Sequence, residues 1–420
     1  MKKYLEIYNH FKELILNNQI KSGEKIPSVR KASVMFNVSK TTIQNAYFEL
    51  QADGYIISAE KSGYFVCDIK TQPTHNTFAP VDKKEIRFDL KSGDADKECF
   101  DIPLWQRYIK SALRQKERLL SYGDVQGEED LREVLCEYIS KKRNVSTSAD
   151  RIVIGAGVLS LLGILCSLFD NKKTVSFPDK SFVQGISLFE NYGNEVHIKD
   201  KNADIIYVSP SHMTSFGNVM PIKRRLELIR HTATTDALII EDDFDSDFVY
   251  QSKPTPALYA LSSGKNVVYM GSFANVLIPG IRISFMVLTE ELAKEFQRKK
   301  ARFAQTASKT EQIALCGYIR DGHINSQTRK ISRRYTEKTK EFYSELKNEI
   351  PQADCSISEN GINIRMLIEF NKDISVFENN SLSVYIRSYE NGVLKLIIIP
   401  SAIEKNDIKP AVLALKKALI

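Results

Sequence analysis

Cysteine is scarce and scattered: six residues, at 67, 99, 136, 166, 316 and 355, with no Cys-x-x-Cys pair. Such spacing suggests neither a zinc cluster nor a disulfide framework, so reduced, mostly buried thiols and no metal are expected. Long apolar runs are also missing. Charged residues interrupt the N-terminal MKKYLEIYNHFKELILNNQIKSGEK, and no other stretch approaches the length of a spanning helix. A cytoplasmic location in a prokaryote-like cell, without a membrane partner, is the expectation. Charge is only weakly one-sided, with 59 Lys and Arg against 52 Asp and Glu, a net +7. That excess permits nucleic-acid binding without requiring it. Residues 1–68 hold nine basic against seven acidic residues, so a DNA assignment rests on where the cations sit.

What is present is an ordinary globular composition: 420 residues, 43% hydrophobic and 26% charged, with room for two or three domains. Within 3–18, Leu5, Tyr8, Phe11, Leu14 and Ile15 follow a helical period. Ser28 is placed to cap a second helix, Val29 to Met35, and Ser39 a third, running through Leu50 and stopping at Gly54. On that third helix Ile43, Ala46, Tyr47 and Leu50 share one face. Lys40, Thr41, Thr42 and Asn45 are left toward solvent at its N-terminal end. Tyr55 to Ile57 and Tyr64 to Val66, around Lys61 and Gly63, read as a two-stranded wing. A helix N-terminus in a major groove offers N–H groups to phosphate and side chains to base edges. Arg30, and Lys61 on the wing, suit phosphate or a narrow minor groove.

The run GEKIPSVRKASVMFNVSKTTIQNAYFELQADGYIISAEKSGYFV strongly resembles the winged helix-turn-helix of the GntR regulators. Pro27, Ser28, Arg30, Val38, Ser39, Lys40, Thr42, Ile43, Ala46, Tyr47, Leu50, Gly54, Tyr55 and Gly63 carry the likeness. The resemblance implies contact with double-stranded operator DNA through Arg30, Ser39, Lys40, Thr41, Thr42, Asn45 and Lys61, with Tyr47 partly structural.

Residues 69–86 are polar, contain Pro73 and Pro80, and lack either hydrophobic period, which marks a linker spanning about 20 to 25 Å as a flexible coil. From 87 to 290 short β-rich runs alternate with helical stretches, arguing for a mostly parallel sheet covered on both faces. Those runs are Arg151 to Gly155, Thr174 to Phe177, Ile205 to Val208, Ala237 to Ile240, Val267 to Met270 and Ile283 to Leu288. Beyond 290 the pattern reads as helices over Glu291 to Arg320 and Arg329 to Lys347, then strands near Ile362 to Phe370 and Leu394 to Ile399. The expected organisation is a winged domain at 1–68, the linker, an α/β large domain at 87–290 and a small α+β lobe at 291–420.

Several signposts in the second part resemble the fold-type I aminotransferases: Phe100-Asp-Ile-Pro-Leu-Trp105, Tyr122-Gly-Asp-x-x-Gly127-x-x-x-Leu-Arg132, Ser209-Pro-Ser-His212, Glu241-Asp-Asp-Phe-Asp-Ser-Asp-Phe248 and Gly271-Ser-Phe-Ala-Asn275-x-x-x-Pro-Gly-x-Arg282. The joining of the two parts resembles the MocR (GabR-like) branch of the GntR regulators. It implies a head-to-tail homodimer, a small-molecule effector, and pyridoxal phosphate as the ancestral cofactor. Asp242 maps to the acid beside the pyridine nitrogen, and Ser272 and Arg282 to phosphate positions, where a hydroxyl and a guanidinium suit a dianion.

The resemblance breaks at the chemistry. Asn275 occupies the place of the Schiff-base lysine, and an amide cannot condense with an aldehyde. Phe244 replaces a tyrosine, and Gly155-Ala156-Gly157-Val158 a turn with side-chain phosphate donors. Lys395 stands near the substrate-carboxylate arginine, keeping charge but losing the bidentate fork. The aromatic that covers the cofactor ring aligns with Lys180, or with Phe182 after a small gap. No catalytic residue is assigned, and an inactive domain is expected. Either the site holds pyridoxal phosphate or its amine adduct noncovalently through Asp242, Ser272 and Arg282, or it has abandoned the cofactor. The lack of side-chain donors at Gly157 and Val158 tips the sequence reading toward the second.

Overall fold

In the computed structural model the described residues are 2–59, 62–68, 86–91, 94–213, 218–243, 246 and 256–420. The linker, but for residue 86, lies outside them, as do Lys61 and Phe244. The chain divides into two compact units, Met1–Lys83 and Lys84–Ile420.

In the first unit, α1 (Lys3–Leu16), α2 (Val29–Met35) and α3 (Lys40–Ala52) precede an antiparallel hairpin of β1 (Ile56–Ala59) and β2 (Gly63–Val66). The start signals act as expected: Ser28 Oγ accepts from Lys31 N at 3.3 Å and Ser39 Oγ from Thr42 N at 3.2 Å. Each cap is worth about 1 kcal/mol. Phe11, Ile26, Ala32, Ile43, Ala46, Tyr47, Leu50, Ile56 and Val66 close a core of their own.

The second unit begins with β3 (Phe88–Asp89), α4 (Ile102–Leu113), α5 (Lys116–Leu119) and α6 (Glu129–Arg143). There follow β4 (Ile152–Gly155), α7 (Val158–Leu168), β5 (Thr174–Phe177), α8 (Val183–Asn191), β6 (Glu195–Ile198), β7 (Ile205–Val208), α9 (Ile222–Thr235) and β8 (Leu238–Asp242). Next come α10 (Leu258–Ser262), β9 (Val267–Ser272), β10 (Ser284–Val287), α11 (Glu290–Lys299), α12 (Lys309–Arg320) and α13 (His323–Glu349). The chain ends with β11 (Asp354–Ile357), β12 (Ile364–Glu369), α14 (Val376–Asn379), β13 (Leu382–Ser383), β14 (Tyr385–Glu390), β15 (Val393–Ile398) and α15 (Ile408–Leu419).

Seven strands form the main sheet in the order β4-β10-β9-β8-β7-β5-β6. All neighbours pair in parallel except β10, which is antiparallel to both β4 and β9. Successive residues bury on opposite faces, as the pleat requires. Ile239, Val267 and Tyr269 join one core with Leu131 and Leu135 of α6, while Ile240, Val268 and Met270 join another with Leu161 and Leu165 of α7. A four-stranded antiparallel sheet, β11-β12-β15-β14, packs a third core against the end of α13 and α15.

Two boundaries differ from expectation. α12 puts Ile313, Ala314, Leu315 and Tyr318 into the large-domain core, so that core does not stop at 290. Phe88 and Leu90 belong instead to the small-lobe core, because β3 pairs with β13. The helix expected over Glu291 to Arg320 is broken after α11. Gln305 Nε2 donates to Val125 O and Ile154 O at 3.1 and 3.2 Å, and Thr306 Oγ1 accepts from Ala156 N at 2.9 Å. Those tertiary bonds replace helical ones.

Candidate functional site

On the first unit Lys40, Thr41 and Asn45 of α3 and Arg30 of α2 are exposed, as the sequence suggests, and Thr42 is half-buried. Ser39 Oγ is already engaged as a cap and bonds Thr42 Oγ1 at 2.8 Å. Tyr47 requires a correction: it is 0% exposed, and its hydroxyl donates to Pro27 O at 2.6 Å. Burial raises its pKa, so it stays a neutral core donor and not a DNA contact. The structure adds Lys25, which bridges to Phe65 on the wing and packs under Gly63, where a Cβ would come within 2.9 Å of its Cε. Nothing in the local sequence pattern marks that long-range pairing.

On the second unit the parallel strands deliver Phe177, Val208, Asp242 and Ser272 to one edge of the sheet. β10 begins there, with Ser284 in register between Gly155 and Ser272. Ligands bind at this edge in open α/β sheets. A cavity of about 710 Å³ opens above it, lined by Asp242, Ser272, Asn275 and Arg282 together with Gly157, Val158, Tyr207 and His212. Its volume suits a small molecule. The opposite wall comes from Tyr335, Asn363, Tyr385, Ile397 and Ser401.

Below the cavity Tyr207 donates a hydrogen bond to Asp242 Oδ2, and Ser209 Oγ donates to Asp242 O at 2.8 Å. Burial, then the Asp242 charge, push the Tyr207 hydroxyl well above its usual range, so it remains a donor. Next along the chain, Asp243 takes a bidentate contact from Arg143, at 2.7 Å from Nε and 2.9 Å from the terminal nitrogen, and a bond from Tyr269 at 2.6 Å. This clamp fixes the strand end that presents Asp242. Burial pushes the His212 imidazole down to about 4, leaving it neutral near pH 7. Ser272 Oγ accepts from Ser284 Oγ at 3.0 Å.

Arg282 sits in the left-handed region at φ 51°, a sparsely populated conformation that the turn Pro279–Ile281 imposes. Its guanidinium lies over Gly157, where a Cβ would stand 3.1 Å from a terminal nitrogen. Gly157, at φ 90°, caps α7, whose first residues line the cavity. The donor set of serine hydroxyl, guanidinium and helix N-terminus therefore fits a phosphate, even though the turn lacks polar side chains. Asp242 fits a protonated ring nitrogen. Covalent attachment at the strand-end position does not fit, since Asn275 is there; among the described lining residues the single lysine is Lys91, on the segment after β3.

Phe182 lines the cavity with its ring 5.6 Å from that of Tyr207, and Lys180 is not among the lining residues. Lys395 is not among the lining residues. It bonds Glu390 at 3.3 Å, while Ile397 and Ile399 of the same strand region reach the cavity. The expected carboxylate contact is thereby corrected: the β15 region presents Ile397 and Ile399 to the cavity in place of Lys395. Tyr207 and Tyr385 escaped the sequence reading because strand residues of this kind look like core, whereas His212, the last residue of the Ser209-Pro-Ser-His212 signpost, lies beyond the end of β7.

The profile of bacterial regulatory proteins of the gntR family matches residues 3–66, and that of class I and II aminotransferases matches residues 86–389. The chain is 32% identical to an uncharacterized HTH-type transcriptional regulator, YdeL of Bacillus subtilis (strain 168), over 79% of this chain and 77% of that protein. This chain belongs to that family of regulators. The regulator is also 24% identical to the probable rhizopine catabolism regulatory protein MocR of Rhizobium meliloti, over 87% of this chain and 81% of that one. An archaeal alanine:glyoxylate aminotransferase shares its fold, with a TM-score of 0.69 at 21% identity over 79% of this chain and 90% of that one. Among the described residues no helix is long and apolar enough to cross a membrane.

Proposed function

We propose that this transcription regulator contacts operator DNA through Arg30, Lys40, Thr41 and Asn45, and that its aminotransferase-like cavity senses a small anion of the pyridoxal phosphate kind without covalent attachment or turnover. The observation that carries the second part is Asn275 beside Asp242, Ser272 and Arg282 in one cavity. Pyridoxal phosphate supplies an electron-withdrawing ring to amine chemistry when bound. Here Arg282, Ser272 and the start of α7 would hold the phosphate, and Asp242, itself held by Tyr207 and Ser209, would hold the ring nitrogen, with Phe182 the aromatic available to pack against the ring. The amide of Asn275 hydrogen-bonds but moves no proton at neutral pH.

The DNA-bound species is a homodimer in this reading, and a ligand changes its affinity for DNA only by binding the competent and incompetent arrangements unequally. Calorimetric titration of the full chain with pyridoxal phosphate is expected to give micromolar, dialysable binding, and Arg282→Ala to weaken it by at least about tenfold. Borohydride treatment at stoichiometric ligand leaves no pyridoxyl label on any cavity lysine, Lys91 included. A label there, or turnover of amino donors, defeats the reading in favour of a residual aminotransferase. No heat of binding leaves a scaffold.

Arg30→Ala and Lys40→Ala are each expected to weaken operator binding and to flatten the dependence of log K on log salt by about 1, the signature of one lost phosphate contact. A weaker complex with an unchanged slope assigns the residue to base reading.

A further inference from the structure

The helix that presents Lys40, Thr41 and Asn45 also carries Phe48, and this ring is 71% exposed. Ile43, Ala46, Tyr47 and Leu50 are buried on the other side. At 3.6 residues per turn, Thr41, Asn45 and Phe48 lie within roughly 60° of one another, in the middle of the outward face. Phe48 is thus not an apolar side chain at the margin of the core. It stands on the line of the polar residues, about 10 Å along the axis from Thr41. The major groove is about 12 Å wide, and thymine is the base that shows a methyl group there. An aromatic ring on an otherwise mostly polar and charged exposed face has one apolar counterpart in that groove.

We propose that Phe48 is a specificity-determining residue, packing against a thymine C5-methyl group some two or three base pairs from the step met by Thr41. The inference rests on α3 being the reading helix. It differs from phosphate contact in kind, because an apolar contact releases no counterion and sets sequence preference instead of general affinity. Phe48 lies outside the core of the first unit, so its removal spares the fold, and alanine favours the helix.

The test uses the full-length chain and duplexes that the wild-type chain selects from a random pool. Each thymine is replaced in turn by uracil, which removes only the methyl group. Wild-type binding is expected to weaken about 3- to 10-fold at one or two positions. Phe48→Ala binds the parent duplex correspondingly less well, ignores uracil at those positions, and keeps the wild-type salt slope; Phe48→Leu retains part of the methyl response. The proposal is overturned if Phe48→Ala binds like wild type, if it keeps the wild-type response to uracil everywhere, or if no thymine is methyl-sensitive. Lys40→Ala run beside it separates the two levels. If Lys40→Ala weakens binding and Phe48→Ala does not, only the thymine contact falls; if neither does, α3 is not the reader.

Discussion

A chain lacking residues 1–68 is expected to bind its operator at least about 1,000-fold more weakly than the full chain, since specific complexes exceed nonspecific ones by that margin or more. All the exposed candidate contacts lie in that stretch, and its core is built from residues 7–66 alone. The rest of the chain keeps its own large cores, and its fluorescence reports whether it stays folded. The sequence has a single tryptophan, and Trp105 is buried between Phe100 and Tyr318. Native emission with no specific retention of DNA is the expected pair of results. Unchanged retention refutes the assignment of the first unit as the reader.

The second large effect concerns stability. Arg143 and Asp243 form a bidentate pair with side chains only 6% and 0% exposed. Burial works against the charge, but Asp243, Tyr269 and Glu241 together outweigh it and hold the guanidinium above its ordinary pKa. Arg143→Met leaves Asp243 buried with only Tyr269 and Ser211 as side-chain donors of those named. Removing one member of a buried pair destabilises by about 3–5 kcal/mol. Urea titration followed at Trp105 should show a loss of that size. Arg143→Met combined with Asp243→Leu should lose less, because no charge is stranded. A loss below about 1 kcal/mol for the single change removes the clamp as an anchor of the strand that carries Asp242.

Much of the fold was legible because short-range signals set it. Ser28 and Ser39 start α2 and α3 where the caps predicted, and Thr174–Phe177 and Ile205–Val208 are strands to the residue, being β-branched runs buried on both faces. What escaped is set at long range. β6 is a polar edge strand, Glu195–Ile198, with exposed ends, and β14 is half-exposed, so neither carries a strong pattern. The break before α12 has no glycine or proline and depends on Gln305 and Thr306 finding partners far away in sequence. In the site, residue identity marked Asp242, Ser272, Asn275 and Arg282. Side-chain identity alone does not reveal the backbone at Gly157, which caps α7 beside the Arg282 guanidinium. Lys395 was placed by alignment, but its nearest counter-charge is Glu390.

Among the described residues, those that line the cavity run from Lys91 to Ser401, and the core of the first unit is built from residues 7–66. Alterations in one therefore do not propagate as misfolding into the other. After gene duplication, a copy can redirect its promoter preference while its pocket persists, or lose chemistry in the pocket while still finding its promoter. Asn275, half-buried on the cavity lining, is a position at which the pocket can change in that way.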